Sequence, residues 1–346
     1  MKKILVVLMA LVLAMSAFVA FAEETPVYDI RVLVWKYDDT YGSSVRQAMD
    51  AAVEEVGEEL GIEIKLTMYD AADDMSKQVE QATMLVGEKP DFVIINLAEV
   101  ASGQQLVDMF TEAGIPFLFY NKEPSQETVQ SVVVDSGSIF IGTTPREAGD
   151  MQGEILADMW AADTSIDLNG DGKLQFVEFE GEPNNPEAIA RTQYSEETAV
   201  ELGVPLEPAL DEYVIVANWD TAQAQEKMQA TFAANPDVEV VFCNNDDMAI
   251  GVIAALNASN YNTGKEGDPS LVVIGVDATE AAFASIRNGG MTATVKQDGE
   301  AMGYANIRIA ANYLTTGSWL DGTDYEYADD GYSVRIPYAK ITEADA

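Results

Sequence analysis

The amino-acid sequence predicts an α/β protein with two halves, each built on a parallel β-sheet that is covered by helices. Short apolar segments alternate with segments of helical periodicity along most of the 346 residues. Strands that alternate with helices of about 10–15 residues are typical of βαβ units and a parallel sheet. The alternation runs from residue 30 to 120 and starts again after residue 146. The chain is also long enough for two domains.

Each predicted element follows from its periodicity and from the residue that ends it. Predicted strands cover residues 30–35, 62–69, 91–95, 116–120, 174–180, 211–217, 238–243, 271–276, 292–296 and 333–338. Predicted helices cover residues 43–60, 76–87, 104–113, 146–161, 186–202, 222–234, 248–257, 280–288 and 301–314. Gly61 and Gly114 directly follow two of these helices, and glycine readily adopts the backbone conformation that ends a helix. Residues 317–332 are acidic and aromatic and have no clear period.

Residues 1–22 have the features of a secretory signal peptide. Lys2 and Lys3 precede an apolar run over residues 4–19, and Ala20-Phe21-Ala22 forms a small-x-small cleavage site. We therefore expect cleavage after Ala22 and a periplasmic location. The alternative is an uncleaved membrane anchor, but the run is short for a bilayer span of about 20 apolar residues.

Composition excludes several classes of function. The chain has 59 acidic and 19 basic residues, so its net charge of −40 repels phosphate backbones and anionic lipids. Nucleic acid and membrane surfaces are therefore poor partners. The sequence contains no histidine, which rules out Ser-His and Cys-His catalysis as well as histidine metal sites. Cys243 is the single cysteine, so no internal disulfide can form, and we expect it to be a small core residue.

A calcium loop is predicted between the helix at residues 146–161 and the strand at residues 174–180. Oxygen-bearing side chains occupy its first, third, fifth and ninth positions, Gly172 permits the turn at the sixth, and a backbone carbonyl suffices at the seventh. The loop residues with these roles are Asp167, Asn169, Asp171, Lys173 and Gln175. The alternative is a surface turn rich in Asp and Asn that binds no metal.

The closing ligand of this loop is a separate question. Glu178 holds the twelfth position, where an EF-hand has its bidentate glutamate. An EF-hand needs a helix on both sides, whereas residues 174–180 alternate as a strand does. A strand carries Glu178 away from the loop, so we expect the closing carboxylate to come from elsewhere in the chain.

Polar and aromatic residues follow several predicted strands. In open parallel sheets, ligands bind beyond the carboxyl ends of the strands. The residues at these ends are Asp39, Asn121, Trp219, Asn245, Asp277 and Gln297. Asp and Asn can bridge adjacent hydroxyls of a polyol, and aromatic rings can stack on the C–H face of a pyranose. No glycine-rich phosphate loop accompanies them.

Each of these residues also has an ordinary structural role open to it. Asp or Asn after a strand is often a helix N-cap, as Asp246 and Asp277 could be. Trp219 taken alone is more often a core residue than a stacking platform. Arg191, near the start of a predicted helix, could be a surface cation. The occurrence of six such strand ends together favours a binding site.

Several segments resemble, in the same order, the periplasmic galactose/glucose-binding family of sugar-binding proteins. They are Tyr37-Asp38-Asp39, Asn121-Lys122-Glu123-Pro124-Ser125, Asp167-Leu168-Asn169, Gly181-Glu182-Pro183, Ala190-Arg191-Thr192, Trp219-Asp220-Thr221-Ala222-Gln223-Ala224, Asn244-Asn245-Asp246 and Gly275-Val276-Asp277-Ala278. The resemblance implies a type I periplasmic binding protein, with two doubly wound lobes joined by three hinge strands. Those strands would lie near residues 142–143, 297–299 and 335–338. The N-terminal lobe would comprise residues 23–142 and 298–334, and the C-terminal lobe residues 143–297 and 335–346.

The resemblance also implies the residues of two sites. A pyranose would lie between Tyr41 and Trp219. Its hydrogen-bonding residues would be Asp39, Asn121, Asn185, Glu187, Arg191, Asn245, Asp277 and Gln297. The calcium ligands would be Asp167, Asn169, Asp171, the Lys173 carbonyl, Gln175 and a closing Glu239, in agreement with the objection to Glu178.

Three of these positions depart from the family pattern. Asn185 replaces a histidine, Glu187 an aspartate and Gln297 an asparagine. Because Glu187 and Gln297 are each one methylene longer, they could reduce the space at one edge of the sugar. We therefore hypothesise a hexose, glucose or galactose, with a pentose as the alternative.

The function that the resemblance implies is delivery of a sugar to an ABC transporter by a monomeric receptor, and possible signalling through a chemoreceptor. An enzyme is a competing class: a glycoside hydrolase could use two carboxylates such as Asp39 and Asp277. A sugar-responsive transcription regulator shares the two-lobed fold but needs an N-terminal DNA-binding unit. The signal peptide at that position argues against a regulator.

Overall fold

The computed structural model describes residues 25–125, 137–234 and 237–345. The predicted signal peptide, residues 1–22, lies outside these ranges. Within them, none of the helices has both the length and the apolar composition that a bilayer span requires.

The first sheet in the described part of the chain has six parallel strands. They are β1 (Val27–Val34), β2 (Glu63–Asp70), β3 (Phe92–Ile95), β4 (Phe117–Tyr120), β5 (Phe140–Gly142) and β12 (Ser333–Arg335), in the order β12-β5-β4-β3-β1-β2. The helices of this lobe are α1 (Thr40–Leu60), α2 (Met75–Glu88), α3 (Gly103–Ala113) and α9 (Gly299–Thr316), with a short 3₁₀ turn over Val100–Ser102.

The second sheet repeats this arrangement. Its strands are β6 (Leu174–Glu180), β7 (Leu206–Pro208), β8 (Val214–Val216), β9 (Val240–Cys243), β10 (Val272–Val276), β11 (Ala293–Lys296) and β13 (Ala339–Ile341). The described order is β13-β11-β10-β9-β6-β7, and β8 also pairs with β6. The helices are α4 (Pro145–Ala162), α5 (Pro186–Glu201), α6 (Thr221–Ala234), α7 (Asp246–Asn257) and α8 (Glu280–Arg287), with a 3₁₀ turn over Thr164–Ile166.

Each sheet is buried on both faces. Along β3, Phe92 and Ile94 join the core beneath α1 and α9, whereas Val93 and Ile95 join the core beneath α2 and α3. Successive residues of a strand point to opposite faces, so a strand between two helical layers must be apolar throughout. The doubly wound architecture that the sequence predicts is confirmed.

The chain passes between the two lobes three times. It leaves the first sheet after β5 for α4, returns after β11 for α9, and leaves again after β12 for β13. These passages coincide with the predicted hinge strands near residues 142–143, 297–299 and 335–338. The residue limits of the lobes remain a prediction, which this strand membership supports.

One predicted element is wrong. Residues 333–338 do not form a single strand: β12 pairs in the first sheet, and β13 is an antiparallel edge strand of the second sheet. Pro337, which lies between them, has no N–H to donate to a ladder. The break allows one extended segment to serve both lobes.

Glu178 lies inside β6, as expected, and is fully buried. Its Oε1 accepts a hydrogen bond from Ser195 Oγ at 2.7 Å, and its Oε2 has no partner. Burial raises the pKa of Glu178 well above its ordinary value, because an ionised carboxylate loses its hydration there.

This burial predicts a stability that falls as the pH rises. The unfolded pKa of a glutamate is about 4.3, and the folded pKa is higher, so between the two the folded state binds more protons than the unfolded state. We expect Glu178→Gln to flatten the dependence of the free energy of unfolding on pH, and to make the protein more stable than the wild type at pH 8. Urea denaturation at pH 5 and pH 8 measures this.

The control is Glu226→Gln, which neutralises an exposed glutamate on α6. A Glu178→Gln protein that keeps the wild-type difference between the two pH values would contradict the assignment of Glu178 as a neutral buried acid.

Candidate functional site

A cavity lies between the two lobes and contains about 420 Å³ of space outside the protein atoms. All the residues that the resemblance assigns to sugar line this one cavity: Asp39, Tyr41, Asn121, Asn185, Glu187, Arg191, Trp219, Asn245, Asp277 and Gln297. Two further lining residues, Trp35 and Lys122, were missed by the sequence analysis.

Three lining residues serve as helix N-caps at the same time. Asp39 accepts from the Gly42 N–H, Asn185 from that of Glu187 at 2.9 Å, and Asn245 from that of Met248 at 3.0 Å. A carboxylate or amide has more hydrogen-bonding capacity than one cap uses. The two interpretations of these residues, cap and ligand contact, are therefore compatible.

The expected caps at Asp246 and Asp277 are wrong. Asn245 caps α7, and Thr279 caps α8 by accepting from the Ala282 N–H. Asp246 instead accepts from the Thr279 N–H at 2.8 Å and from Thr294 Oγ1 at 2.6 Å, which joins the ends of three elements beneath the cavity.

The backbone is strained at three of the lining positions. Asn121, Trp219 and Asp277 have φ values of +62°, +62° and +124°. Residues other than glycine rarely adopt positive φ, and such strain persists only where the surrounding structure enforces it. Here it turns each side chain into the cavity directly after a strand or turn.

The Trp219 ring packs tightly against Gly181, and the Tyr41 ring lies near Gly299. A Cβ at Gly181 would lie 2.2 Å from the Trp219 ring, and one at Gly299 would lie 3.4 Å from the Tyr41 ring. Both rings are more than nine-tenths buried. The Trp219 Nε1 has no hydrogen-bond partner, and the Tyr41 hydroxyl donates to Met302 Sδ at 3.3 Å.

Arg191 is the central cation of the cavity, and its interpretation as a surface residue is wrong. It is 3% exposed, and its Nη1 donates to the Asn244 carbonyl at 2.7 Å. Its Nη2 donates to Gln297 Oε1 and to the Tyr338 hydroxyl, both at 2.8 Å. The Arg191 Nε is buried and has no hydrogen-bond partner among the described residues.

The two longer side chains, Glu187 and Gln297, both take part in hydrogen bonds that involve the lobe crossings: Glu187 contacts crossing residues, and Gln297 lies at a crossing itself. Glu187 accepts from Thr143 Oγ1 at 2.6 Å and from the Tyr338 hydroxyl at 2.9 Å. Gln297 Nε2 donates to Asn121 Oδ1 at 3.3 Å. Glu187 therefore reaches the hinge as well as the cavity, whereas Gln297 connects its own crossing to Arg191 in one lobe and Asn121 in the other.

The carboxyl groups of the cavity are desolvated. Burial raises the pKa of Asp39, and it raises the pKa of Asp277 well above the ordinary value, although Arg191 opposes the second shift. Burial also raises the pKa of Asp246 to about 7. Burial therefore disfavours a further charge in this region, which suits a neutral ligand rich in hydroxyls.

The predicted calcium loop forms a compact turn beside β6. Gly170 and Gly172 adopt φ values of +75° and +86°, as the tight turn requires. Asp167 accepts from the N–H groups of Gly170 and Gly172 at 2.7 and 2.8 Å. Asn169 Nδ2 donates to Gln175 Oε1 at 2.7 Å.

Glu239 reaches this loop from the start of β9. Its carboxylate accepts from the N–H groups of Leu168, Asn169 and Gln175 at 2.6, 3.0 and 3.2 Å. Glu178 points away, into the core. Across the described residues, no set of three or more His, Cys, Asp or Glu side chains has an arrangement that could hold a metal ion. Calcium binding therefore remains a prediction.

Comparison with known proteins assigns the family. Residues 32–318 match the family described as periplasmic binding protein domain. The chain belongs to this family. A relative is the D-galactose/methyl-galactoside binding periplasmic protein MglB of Haemophilus influenzae, with 33% identity over 328 residues, which are 94% of this chain and 92% of the relative.

Two further proteins are less similar to this chain in sequence. A putative rhizopine-binding protein of Rhizobium meliloti is 27% identical over 100% of this chain and 97% of its own length. The crystal structure of an ABC transporter solute binding protein from Bacillus halodurans, with bound myo-inositol, has a TM-score of 0.73. That structure is 24% identical over 94% of this chain and 97% of its own, and it shows the same fold.

The contact between Gly181 and Trp219 generates a test of the cavity wall. We expect Gly181→Ala to displace the indole, because the new Cβ would overlap the ring. Overpacking of this kind typically costs about 1–3 kcal/mol. Near-ultraviolet circular dichroism reports the ring's environment, and urea denaturation reports the free energy of unfolding.

The control is Gly87→Ala within α2, where the space around the new Cβ is open and alanine favours the helix. An unchanged tryptophan spectrum in Gly181→Ala would show that the ring is not seated against this glycine.

Proposed function

We propose that the protein captures a monosaccharide in the periplasm by closing its two lobes and delivers it to an ABC transporter. The observation that carries this proposal is the convergence of both aromatic rings and all the predicted hydrogen-bonding residues on one cavity between the lobes. Closure around a ligand is a common transition of periplasmic binding proteins.

The cavity chemistry favours a neutral pyranose. Tyr41 and Trp219 offer flat apolar faces, while Asp39, Asn121 and Asn245 carry the paired acceptors and donors that adjacent hydroxyls require. A relative at 33% identity is described as binding D-galactose and methyl-galactoside. We therefore propose a hexose, glucose or galactose, and keep a pentose as the alternative.

We further propose that the protein performs no reaction on its ligand. Arg191 and the hinge residues engage Glu187, and the other cavity carboxyls are caps or are desolvated acids. The family to which the chain belongs is one of binding proteins.

Residues 1–22 would be removed after Ala22, and the mature monomer would present its closed form to a permease and to a chemoreceptor.

Titration calorimetry against glucose, galactose, xylose, arabinose and ribose tests the ligand. We expect saturable binding of a hexose and a loss of affinity of about a hundredfold or more in Trp219→Ala, because that variant removes one stacking face. The control is Trp160→Phe, which alters a tryptophan of α4 that does not line the cavity.

Tight pentose binding without a hexose signal would contradict the hexose assignment. Release of phenol from an aryl glycoside would contradict the absence of catalysis.

We also propose that calcium binds the loop at residues 167–175 and stabilises its lobe without contacting sugar. The supporting observation is that Asp167, Asn169, Asp171, Gln175 and Glu239 are brought together by their hydrogen bonds. Each of these side chains retains an oxygen lone pair beyond those bonds, and the Lys173 carbonyl completes the oxygen set that calcium prefers. Amide and carbonyl oxygens supply half of these ligands, so the site would not depend on a cluster of acids.

Chelation should lower the melting temperature and leave sugar binding measurable at low temperature. A ligand present at a hundredfold excess over its dissociation constant stabilises the folded state by about 2.7 kcal/mol. Scanning calorimetry with calcium or with chelator measures the shift, and magnesium serves as the ion control.

Asp167→Asn should abolish the calcium-dependent shift, whereas Asp158→Asn, at an exposed position of α4, should keep it. A chelator that leaves the wild-type melting temperature unchanged would refute calcium binding.

A further inference from the structure

Lys122 and Glu182 form an ion pair across the mouth of the cavity. Lys122 follows β4 in the N-terminal lobe, and Glu182 follows β6 in the C-terminal lobe. The Lys122 Nζ lies 2.9 Å and 3.0 Å from the two carboxylate oxygens of Glu182. The lysine side chain is 3% exposed and that of the glutamate 27%. The pair therefore joins the lobes where water is largely excluded.

The N-terminal lobe holds the ammonium group in place. Lys122 Nζ lies 3.6 Å from the centroid of the Trp35 ring and 3.4 Å from the Ala98 carbonyl oxygen. The Trp35 Nε1 in turn donates to Asp73. A ring face attracts a cation but does not neutralise its charge, so Glu182 is the partner that compensates the buried ammonium.

The free-energy cost of leaving Lys122 without its carboxylate partner depends on whether the lobes are open or closed. When the lobes separate, both charges regain water, and little is lost without the pair. When they close, a buried ammonium without its carboxylate is strongly unfavourable. The ion pair consequently acts on the closed form and not on the stability of either lobe.

We propose that the Lys122–Glu182 ion pair stabilises the closed form and thereby sets the affinity for the ligand. The apparent dissociation constant rises as the fraction of the binding-competent form falls. Glu182 thus acts as a positioning residue: it does not line the cavity but brings the second lobe onto the ligand. This inference rests on the proposed function for its ligand, although lobe closure can be measured without one.

Glu182→Gln is the informative variant because it removes the carboxylate charge of the ion pair without changing a residue that lines the cavity. We expect its affinity for the bound hexose, measured by titration calorimetry, to be at least about tenfold weaker than that of the wild type. Its melting temperature without ligand should stay unchanged. The matched control is Glu59→Gln, which removes the carboxylate partner of the buried Arg308 within the N-terminal lobe. It should bind sugar as the wild type does.

A double-mutant cycle separates the ion pair from other effects of Lys122. The substitution Glu182→Gln should cost affinity in the wild-type background and little in a Lys122→Met background, where no buried ammonium remains. Equal costs in both backgrounds, or an unchanged affinity in Glu182→Gln, would overturn the proposal.

Small-angle X-ray scattering distinguishes failure of this proposal from failure of the proposed function. If the wild type binds none of the sugars, the proposed function fails, and scattering alone then tests the ion pair. A larger radius of gyration for Glu182→Gln than for the wild type and Glu59→Gln supports the proposal. Identical radii in the absence of any sugar binding overturn it.

Discussion

The buried guanidinium of Arg191 is the interaction on which the geometry of the cleft depends. It donates to Gln297, which follows β11, and to Tyr338, which precedes β13. The Tyr338 hydroxyl also lies 3.0 Å from the Thr143 hydroxyl, and Thr143 follows β5. All three passages between the lobes therefore meet at one charged group. Because a buried cation is costly unless it is fully bonded, the hinge segments are held in register with the cavity.

This arrangement explains how one small cavity can present so many polar groups. Burying a polar group is unfavourable unless it is hydrogen-bonded, and several lining residues meet part of that requirement as helix caps. Asn185 and Asn245 illustrate this, because the amide oxygen of each accepts a hydrogen bond from a backbone N–H of the helix that it caps. Two donors, Arg191 Nε and Trp219 Nε1, are left without partners.

Much of the fold and the composition of the cleft could be predicted from the sequence, for reasons that particular residues show. Strand β6 was recognisable because residues 174–180 alternate, and that alternation correctly separated Glu178 from the calcium loop. Lys122 was missed because a lysine after a strand is ordinarily solvated. The segment at residues 333–338 was misjudged because an extended chain gives no sign that Pro337 divides it between two sheets.

The sequence by itself determined the alternation of strands and helices, the polar residues at the strand ends, and the absence of histidine chemistry. These are local properties, which follow from periodicity, from capping and turn preferences, and from the residue types present. Only the tertiary structure decided which strand ends share a cavity, that Glu187 is bonded to hinge residues, that Gln297 is bonded to both lobes, and that Lys122 is paired across the lobes. These contacts join residues that are far apart in the chain. Their partners are fixed only when folding buries the residues together.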